Sequence, residues 1–342
     1  MWNYITSLTS ESKAQTHEGK AMHALLENVS QKSSEAAINA LKQGAPSAAK
    51  EIFSIALLAD LETQEIDQLL LDNWIQNYPA RKIVGRWVAQ NFDDIRASAD
   101  GVVTVDHQAP ERVYTYWHSG FTSAPEIVQA CHRSLLKQAQ IDVEVLDNMR
   151  MSSFVDAPQA IIKKLQNRQA FLTDLVRMML LAKYGGTWVD ATCFISKPLP
   201  KVQDICGESG FFTFRDVGLK GRISNWYLAA KPGSYVARIM TAALIKYWTE
   251  KQRFEQYAFF HDIFECFYLL DSRFADEVDG ALVLDRMPPH DLQKIMNRKF
   301  DKQRLDALLN SLGIHKLTHK MKDEKNETVR IIDYVIGLNR PE

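Results

Sequence analysis

The sequence predicts an α/β protein that is preceded by a helical region. Apolar residues recur at helical spacing through the first hundred residues, for example over residues 66–74 and 83–88. From residue 105 onwards, β-rich runs alternate with amphipathic helical segments, a pattern typical of a mostly parallel sheet covered by helices. We therefore divide the chain into an N-terminal helical region, residues 1–104, and an α/β domain, residues 105–342.

Composition narrows the class of protein. The chain has 342 residues, of which 46% are hydrophobic, so it can bury a sizeable core. Its 41 basic and 42 acidic residues give a net charge of −1, which argues against a general polyanion binder and against nucleic acid as a partner. The four cysteines show no zinc-binding spacing and are interpreted as free thiols in a reducing compartment.

The sequence also bears on location. The first residues lack the basic and apolar segments of a secretory signal. No run of about 18 apolar residues predicts a transmembrane helix. We expect a cytoplasmic protein, with peripheral association at the inner face of the membrane left open.

The stretch Phe171–Pro198 organises the α/β domain. It begins as an apolar helix that is expected to be buried nearly all round, and it breaks at Gly185-Gly186, a helix stop signal. A short strand, Thr187–Val189, follows and ends in Asp190. Because ligands bind at the carboxyl ends of strands in open α/β sheets, this acidic residue is a candidate functional group.

Further strands and helices surround this stretch. A β-rich run, Val113–Trp117, precedes a helix that begins after Pro125, and the next strand spans Asp142–Leu146. Such a strand–helix–strand unit opens an α/β domain. Three later segments are also predicted as strands: Phe211–Phe214, Ile223–Ala230 and Ile331–Ile336.

Several of these residues carry a resemblance to a known family. Asp174 and Arg177, then Gly185-Gly186 and Trp188, then Asp190-Ala191-Thr192 follow the pattern DxxR…GGxWxDAT. This pattern resembles the donor-site core of sugar-nucleotide-dependent glycosyltransferases of the GT-A type. The nearest likeness is to the capsular polysaccharide synthesis group, which is related to glycosyltransferase family 32 and to the clostridial glucosylating toxins.

The resemblance implies a fold and an activity. It implies a GT-A-type nucleotide-sugar-binding domain over residues 105–342. The expected activity is that of a retaining hexosyltransferase. It would move a sugar from a nucleotide-sugar donor, a UDP-sugar, to a growing capsular, exopolysaccharide or lipopolysaccharide glycan. The N-terminal helices are then expected to dock to polysaccharide assembly proteins or to the membrane surface.

Related enzymes hold Mn²⁺ or Mg²⁺ on a DXD motif that neutralises the departing diphosphate. Here the DXD-like motif consists of Asp190 and Thr192, so a hydroxyl stands where the second carboxylate is expected. These two residues are the predicted metal ligands. A second interpretation is that a basic segment neutralises the diphosphate instead; its residues are His315, Lys316, His319 and Lys320. A solvated basic turn is the structural alternative for this segment.

The resemblance also assigns donor-binding residues. Trp117 is expected to stack on the nucleotide base, with packing beneath a loop as the alternative. Asp174 and Arg177 are expected to bind hydroxyls of the donor sugar, with an ion pair between neighbours on one helix as the alternative. Gly186 is expected to let the strand of Asp190 approach the helix closely, with a simple helix cap as the alternative.

Retention without an evident nucleophile implies front-face attack, in which the leaving phosphate accepts the proton of the acceptor. Asn225, His261 and Asp262 are then expected, together with Asp190, to line the reacting sugar and steer the acceptor. A helix residue satisfied by its neighbours is the alternative for His261. Two other functions stay open: a toxin-like enzyme that glycosylates a protein, and a non-catalytic module that binds nucleotide sugars.

Overall fold

The computed structural model describes residues 68–216, 223–251, 257–311, 313–320 and 329–338. The predictions for residues 1–67 lie outside the described residues, as does most of the expected docking region. The helices are α1 (Gln68–Ala99), α2 (Glu126–Gln138), α3 (Gln159–Leu165), α4 (Gln169–Tyr184), α5 (Val202–Cys206), α6 (Tyr235–Glu250), α7 (Phe259–Leu270), α8 (Ser272–Asp279), α9 (Asp291–Ile295), α10 (Lys302–Leu309) and α11 (Ile331–Gly337). The strands are β1 (Val113–Tyr116), β2 (Val143–Leu146), β3 (Gly186–Val189), β4 (Cys193–Ile195), β5 (Phe211–Arg215), β6 (Ile223–Ala230) and β7 (Ile314–Lys316).

The described residues fall into two compact units. The first contains residues 68–98, 251 and 257–276, and therefore most of α1 and all of α7. The second contains residues 99–216 and 223–250 and the described residues from 277 onwards, and therefore all seven strands named above. The predicted boundary at residue 104 stays a prediction, because most of the predicted helical region precedes the described residues.

A five-stranded sheet forms the centre of the second unit. Its strand order is β2-β1-β3-β6-β5. The β2–β1 and β1–β3 pairs are parallel, whereas the β3–β6 and β6–β5 pairs are antiparallel. The α/β class is therefore confirmed, but the sheet is mixed and only partly parallel, not mostly parallel as the sequence predicts.

The length of one connection explains this difference. Only residues 216–222 separate β5 from β6. A parallel pair of neighbouring strands needs a crossover of about a dozen residues or more, so these two strands can pair only in antiparallel fashion. Strand β6 is therefore antiparallel to both of its neighbours, β3 and β5, whereas the other four strands of the sheet share one direction.

Helix α4 is almost entirely buried. Leu175, Val176, Leu180 and Leu181 are fully buried although they point in different directions around the helix axis. The predicted burial nearly all round is therefore confirmed. Among the described residues, no helix has both the length and the apolar character needed to cross a membrane.

Two glycines turn the chain from α4 into β3. Gly185 is the C-cap of α4 with φ 66°, and its N–H donates to the carbonyl of Leu181 at 3.0 Å. Gly186 follows with φ 94°, and a Cβ atom there would lie 2.4 Å from the carbonyl oxygen of Arg112. Because both the backbone conformation and the space exclude a side chain, Gly186 lets β3 lie directly beside the chain that leads into β1.

A second, two-stranded sheet joins β4 to β7 in antiparallel fashion, with Cys193 opposite Lys316 and Phe194 opposite His315. The chain that follows does not form the predicted last strand, because residues 331–337 are the helix α11. Arg330 and Asp333 form a capping box at its start. Ile331 and Val335 are buried at helical spacing, so the apolar run covers one face of a helix.

Candidate active site

Asp190 lies where the sequence predicts, immediately after β3. Strands β1 and β3 are parallel, so the residues that follow them share one edge of the sheet, and Trp117 follows β1 at that edge. The backbone of Asp190 is fixed on both sides: its N–H donates to Trp226 at 2.8 Å, and its carbonyl accepts from Cys193 at 2.9 Å. The carboxylate is therefore held at the edge where ligands bind in α/β sheets.

Both oxygens of the Asp190 carboxylate have partners. Oδ1 accepts a hydrogen bond from Nε1 of Trp188 at 2.9 Å and lies 3.5 Å from Nη2 of Arg177. Oδ2 accepts from Nζ of Lys316 at 2.8 Å. Burial alone would raise the pKa of Asp190, but the charges of Lys316 and Arg177 outweigh it and hold the pKa below its ordinary value.

Arg177 connects Asp190 to the other predicted residues of helix α4 and strand β6. Its Nη2 lies 3.4 Å from Oδ1 of Asp174, and its Nη1 donates to the carbonyl of Asn225. The side chain of Asn225 donates to the same Asp174 oxygen at 2.9 Å. The Arg177 guanidinium also lies over the Trp188 ring, 5.1 Å from its centroid. The structure therefore brings Asp174, Arg177, Asn225 and Asp190 into one network.

Asp174 is the innermost acid of this network. It is 5% exposed, and burial raises the pKa of its carboxyl to about 6 although Arg177 acts in the opposite direction. Its described hydrogen bond and ion pair are made with Asn225 and Arg177, which are protein groups. The ion pair named as the structural alternative is thus present, and the predicted contact with the donor sugar stays a prediction.

The basic segment is divided by the alternation of strand β7. Successive side chains of a strand point to opposite faces, so neighbouring residues reach different surroundings. Lys316 Nζ bonds Asp190, and it also donates to Oγ1 of Thr192 at 2.7 Å. His315 instead places Nε2 3.0 Å from Oγ of Ser196 and is 1% exposed. Burial lowers the pKa of His315 to about 4, so this residue is neutral at pH 7.

The two basic residues beyond β7 are exposed, and one of them lies beside the predicted base-stacking residue. The ring of His319 meets Trp117 edge to face, with centroids 5.3 Å apart. Burial lowers the pKa of His319, and the nearby charges of Lys320 and Lys316 lower it further. Trp117 is half-buried and also packs against an apolar cluster that includes Leu317. This cluster supports the packing alternative and still leaves part of the indole at the surface.

The predicted metal ligands are tested by the chemistry of their surroundings. Asp190 and Thr192 lie together, but the ammonium of Lys316 already bonds an oxygen of each. A divalent cation on these oxygens would have to displace one positive charge and lie beside a second, that of Arg177. The arrangement does not fit a metal held by these two residues, and the expected Mn²⁺ or Mg²⁺ stays a prediction.

Three other predicted residues belong to other parts of the fold. Gly186 begins β3, whereas Asp190 follows its end, so the glycine acts through the packing described above. His261 and Asp262 lie on α7 in the first compact unit, where Asp262 is 3% exposed. Their predicted contact with the acceptor stays a prediction.

Sequence reasoning missed the contribution of Trp188. Its indole N–H bonds Asp190 and its ring lies against Arg177, so it fixes both charges. A signal was present, because residues two apart on a strand share a face and Trp188 stands two residues before Asp190. His290 was also missed: it packs edge-on against Trp226, and its lowered pKa reflects burial and the charge of Lys316. No motif in the sequence indicates that contact.

Comparison with known proteins identifies the family. The curated O-glycosyltransferase braB of Annulohypoxylon truncatum is 27% identical over 164 residues, a match that covers 41% of this chain and 36% of that relative. The chain therefore spans little more than a third of that relative's length. The family model described as "Capsular polysaccharide synthesis protein" matches residues 72–335, well over half of the 342 residues and all of the network around Asp190. The resemblance stated from the sequence is confirmed, and the chain belongs to the capsular polysaccharide synthesis protein family.

Proposed function

We propose that the protein is a glycosyltransferase of the GT-A type that takes a sugar from a nucleotide-sugar donor. The observation that carries this proposal is Asp190, held at the carboxyl edge of the sheet between Lys316 and Arg177. Family membership and the name of the O-glycosyltransferase relative support the reaction class. That name also supports a hydroxyl oxygen as the acceptor.

The donor we propose is a UDP-sugar, and the product is a glycan of the capsular, exopolysaccharide or lipopolysaccharide type. Trp117 offers the nucleotide base an aromatic surface at the sheet edge. Lys316 lies on the same edge and supplies positive charge for the diphosphate. The base would thus be bound by a residue that follows β1, and the diphosphate by the residue that ends β7.

The reaction proposed is retaining. The bond between the anomeric carbon and the phosphate oxygen breaks, and its electron pair stays on the nucleoside diphosphate. The acceptor oxygen bonds to the same face of the anomeric carbon, and its proton passes to the departing phosphate oxygen. No strong general base is needed for this path, in keeping with the low pKa of Asp190, which makes it a weak base at neutral pH.

A panel of UDP-, GDP- and CMP-sugars tests the proposal. We expect hydrolysis or transfer with UDP-sugars, followed as nucleoside diphosphate release. Nuclear magnetic resonance of the first-formed product should show the anomeric configuration of the donor. An inverted product would contradict the proposed retention of configuration but not the proposed glycosyltransferase activity. Binding of a nucleotide sugar without any turnover would favour a non-catalytic binding module.

A further inference from the structure

Lys316 belongs to a fixed part of the fold and is not the end of a mobile arm. Strand β7 pairs with β4, and Lys316 stands directly opposite Cys193. The next residue extends this pairing, since the N–H of Leu317 donates to the carbonyl of Thr192 at 2.8 Å. The backbone at Lys316 is therefore held in register with the Asp190–Thr192 turn, and its ammonium is directed to a set position.

The position of the ammonium is that of a bridging cation. Nζ lies 2.8 Å from Oδ2 of Asp190 and 2.7 Å from Oγ1 of Thr192, the two side chains of the DXD-like motif. An ammonium has three N–H donors, so these two bonds leave one for a ligand anion. The side chains of Lys316 and Asp190 are 17% and 22% exposed, so the pair is partly accessible to a ligand.

The other carboxylate oxygen of Asp190, Oδ1, does not offer a metal-binding position either. Oδ1 accepts from Trp188 and faces Arg177 at 3.5 Å. Both oxygens of the carboxylate therefore face a positively charged side chain. Thr192 is 9% exposed, and its hydroxyl faces the same ammonium.

We propose that the Lys316 ammonium replaces the divalent cation, so that this protein binds and releases its nucleoside diphosphate without a metal. The inference rests on the proposed function, and it names the group that balances the leaving charge. When the anomeric bond breaks, Lys316 keeps its proton and donates a hydrogen bond to a phosphate oxygen. Asp190 and Thr192 then hold the lysine in place, and they do not ligate a metal.

Calorimetric titration of the full chain with UDP tests this inference directly. We expect the dissociation constant to agree within about twofold between buffer with excess EDTA and buffer with excess MnCl₂. In EDTA, Lys316→Met should weaken UDP binding by tenfold or more, and Lys316→Arg should retain a large part of the affinity. Lys302→Met is the matched control and should bind UDP like the wild type, because Lys302 is an exposed side chain paired with Asp306.

The outcomes separate the two proposals. UDP binding that appears only with Mn²⁺ overturns the metal-free inference and leaves the proposed function in place. Unchanged UDP affinity in a folded Lys316→Met protein also overturns it. If UDP, GDP and CMP all fail to bind in either buffer, the proposed function is wrong and the inference falls with it. The comparison of buffers uses the wild-type protein, so it holds even if a variant does not fold.

Discussion

The two ends of strand β3 contrast in the physical demands on their residues. At its start, Gly186 has φ 94° and no room for a Cβ atom beside Arg112. At its end, Asp190 is partly exposed and lies among a tryptophan, an arginine and a lysine. The two positions are four residues apart, yet the choice of residue is restricted by space at one and by charge at the other.

This contrast teaches that one continuous motif can serve two purposes. The glycines of the GGTWVD stretch set how closely the chain packs, whereas its acid and its tryptophan set the electrostatic field. Changes at the first end should alter the free energy of unfolding, and changes at the second should alter binding and turnover. Separate measurements of stability and activity can therefore test this difference.

The largest effect is expected for Asp190→Asn. The change keeps the shape but removes the charge that Lys316 and Arg177 face. We expect turnover to fall by about a hundredfold or more, because Lys316 loses the carboxylate that holds it in place, and misplacing one electrostatic contact to developing charge costs about that much. Steady-state assays measure the turnover, and circular dichroism checks that the variant folds. Asp204→Asn, at an exposed aspartate, is the isosteric control. Near-normal turnover in a folded variant would remove Asp190 from the mechanism.

Gly186→Ala should act at the other end of the strand. The methyl group would meet the Arg112 carbonyl in a backbone conformation that alanine rarely adopts. Strain and overpacking together predict a loss of roughly 2–4 kcal/mol in the free energy of unfolding. Urea denaturation measures it, with Gly101→Ala as the control because no atom lies within 4 Å there. Equal stability of both variants would refute the steric explanation.

Trp117→Ala tests whether the sheet edge extends to the nucleotide base. Loss of base stacking should weaken UDP binding by about 1–3 kcal/mol, while the diphosphate contacts stay intact. Calorimetry with UDP is the measurement. If the variant is folded and binds UDP as tightly as the wild type, the indole serves packing against Leu317 and its neighbours.

The smallest effect at neutral pH is expected at His315, which lies on the other face of β7 from Lys316. Its buried ring has a pKa of about 4, against an ordinary value of 6.5. Between these values the unfolded chain binds the proton and the folded chain does not, so stability falls as pH falls. This residue contributes at most about 1.4 kcal/mol per pH unit to the slope of the free energy of unfolding against pH. In thermal scans, the Tm of His315→Gln should fall less steeply than that of the wild type as the pH falls from 6.5 to 4. Its UDP binding at pH 7 should be unchanged.

Local patterns predicted a large part of this arrangement. A glycine-terminated apolar helix, a short strand and an acid in sequence were enough to put Asp190 at a sheet edge. The direction of β6 was missed because strand pairing depends on a connection whose length the apolar pattern does not weigh. The run 331–336 was predicted as a strand because periodicity alone does not distinguish a strand from a helix in so short an apolar run, and the capping box of Arg330 and Asp333 favours the helix.

The basic segment shows the limit of the sequence for the site. His315 and Lys316 are adjacent and chemically similar, and the sequence assigned both to the diphosphate. Only the pairing of β7 with β4 decides which one faces Asp190. Side-chain alternation makes that decision, and the register that fixes it comes from residues more than a hundred positions earlier in the chain.

The distance along the chain between Asp190 and Lys316 has a consequence for the order of assembly. The two residues are 126 positions apart, whereas every strand of the five-stranded sheet lies between Val113 and Ala230. Closing so long a loop costs entropy, and contacts between nearer segments are gained sooner. The sheet can therefore form before β7 arrives, and Asp190 acquires its lysine only when β7 pairs with β4. The proposed diphosphate site is thus complete only when the last strand has paired.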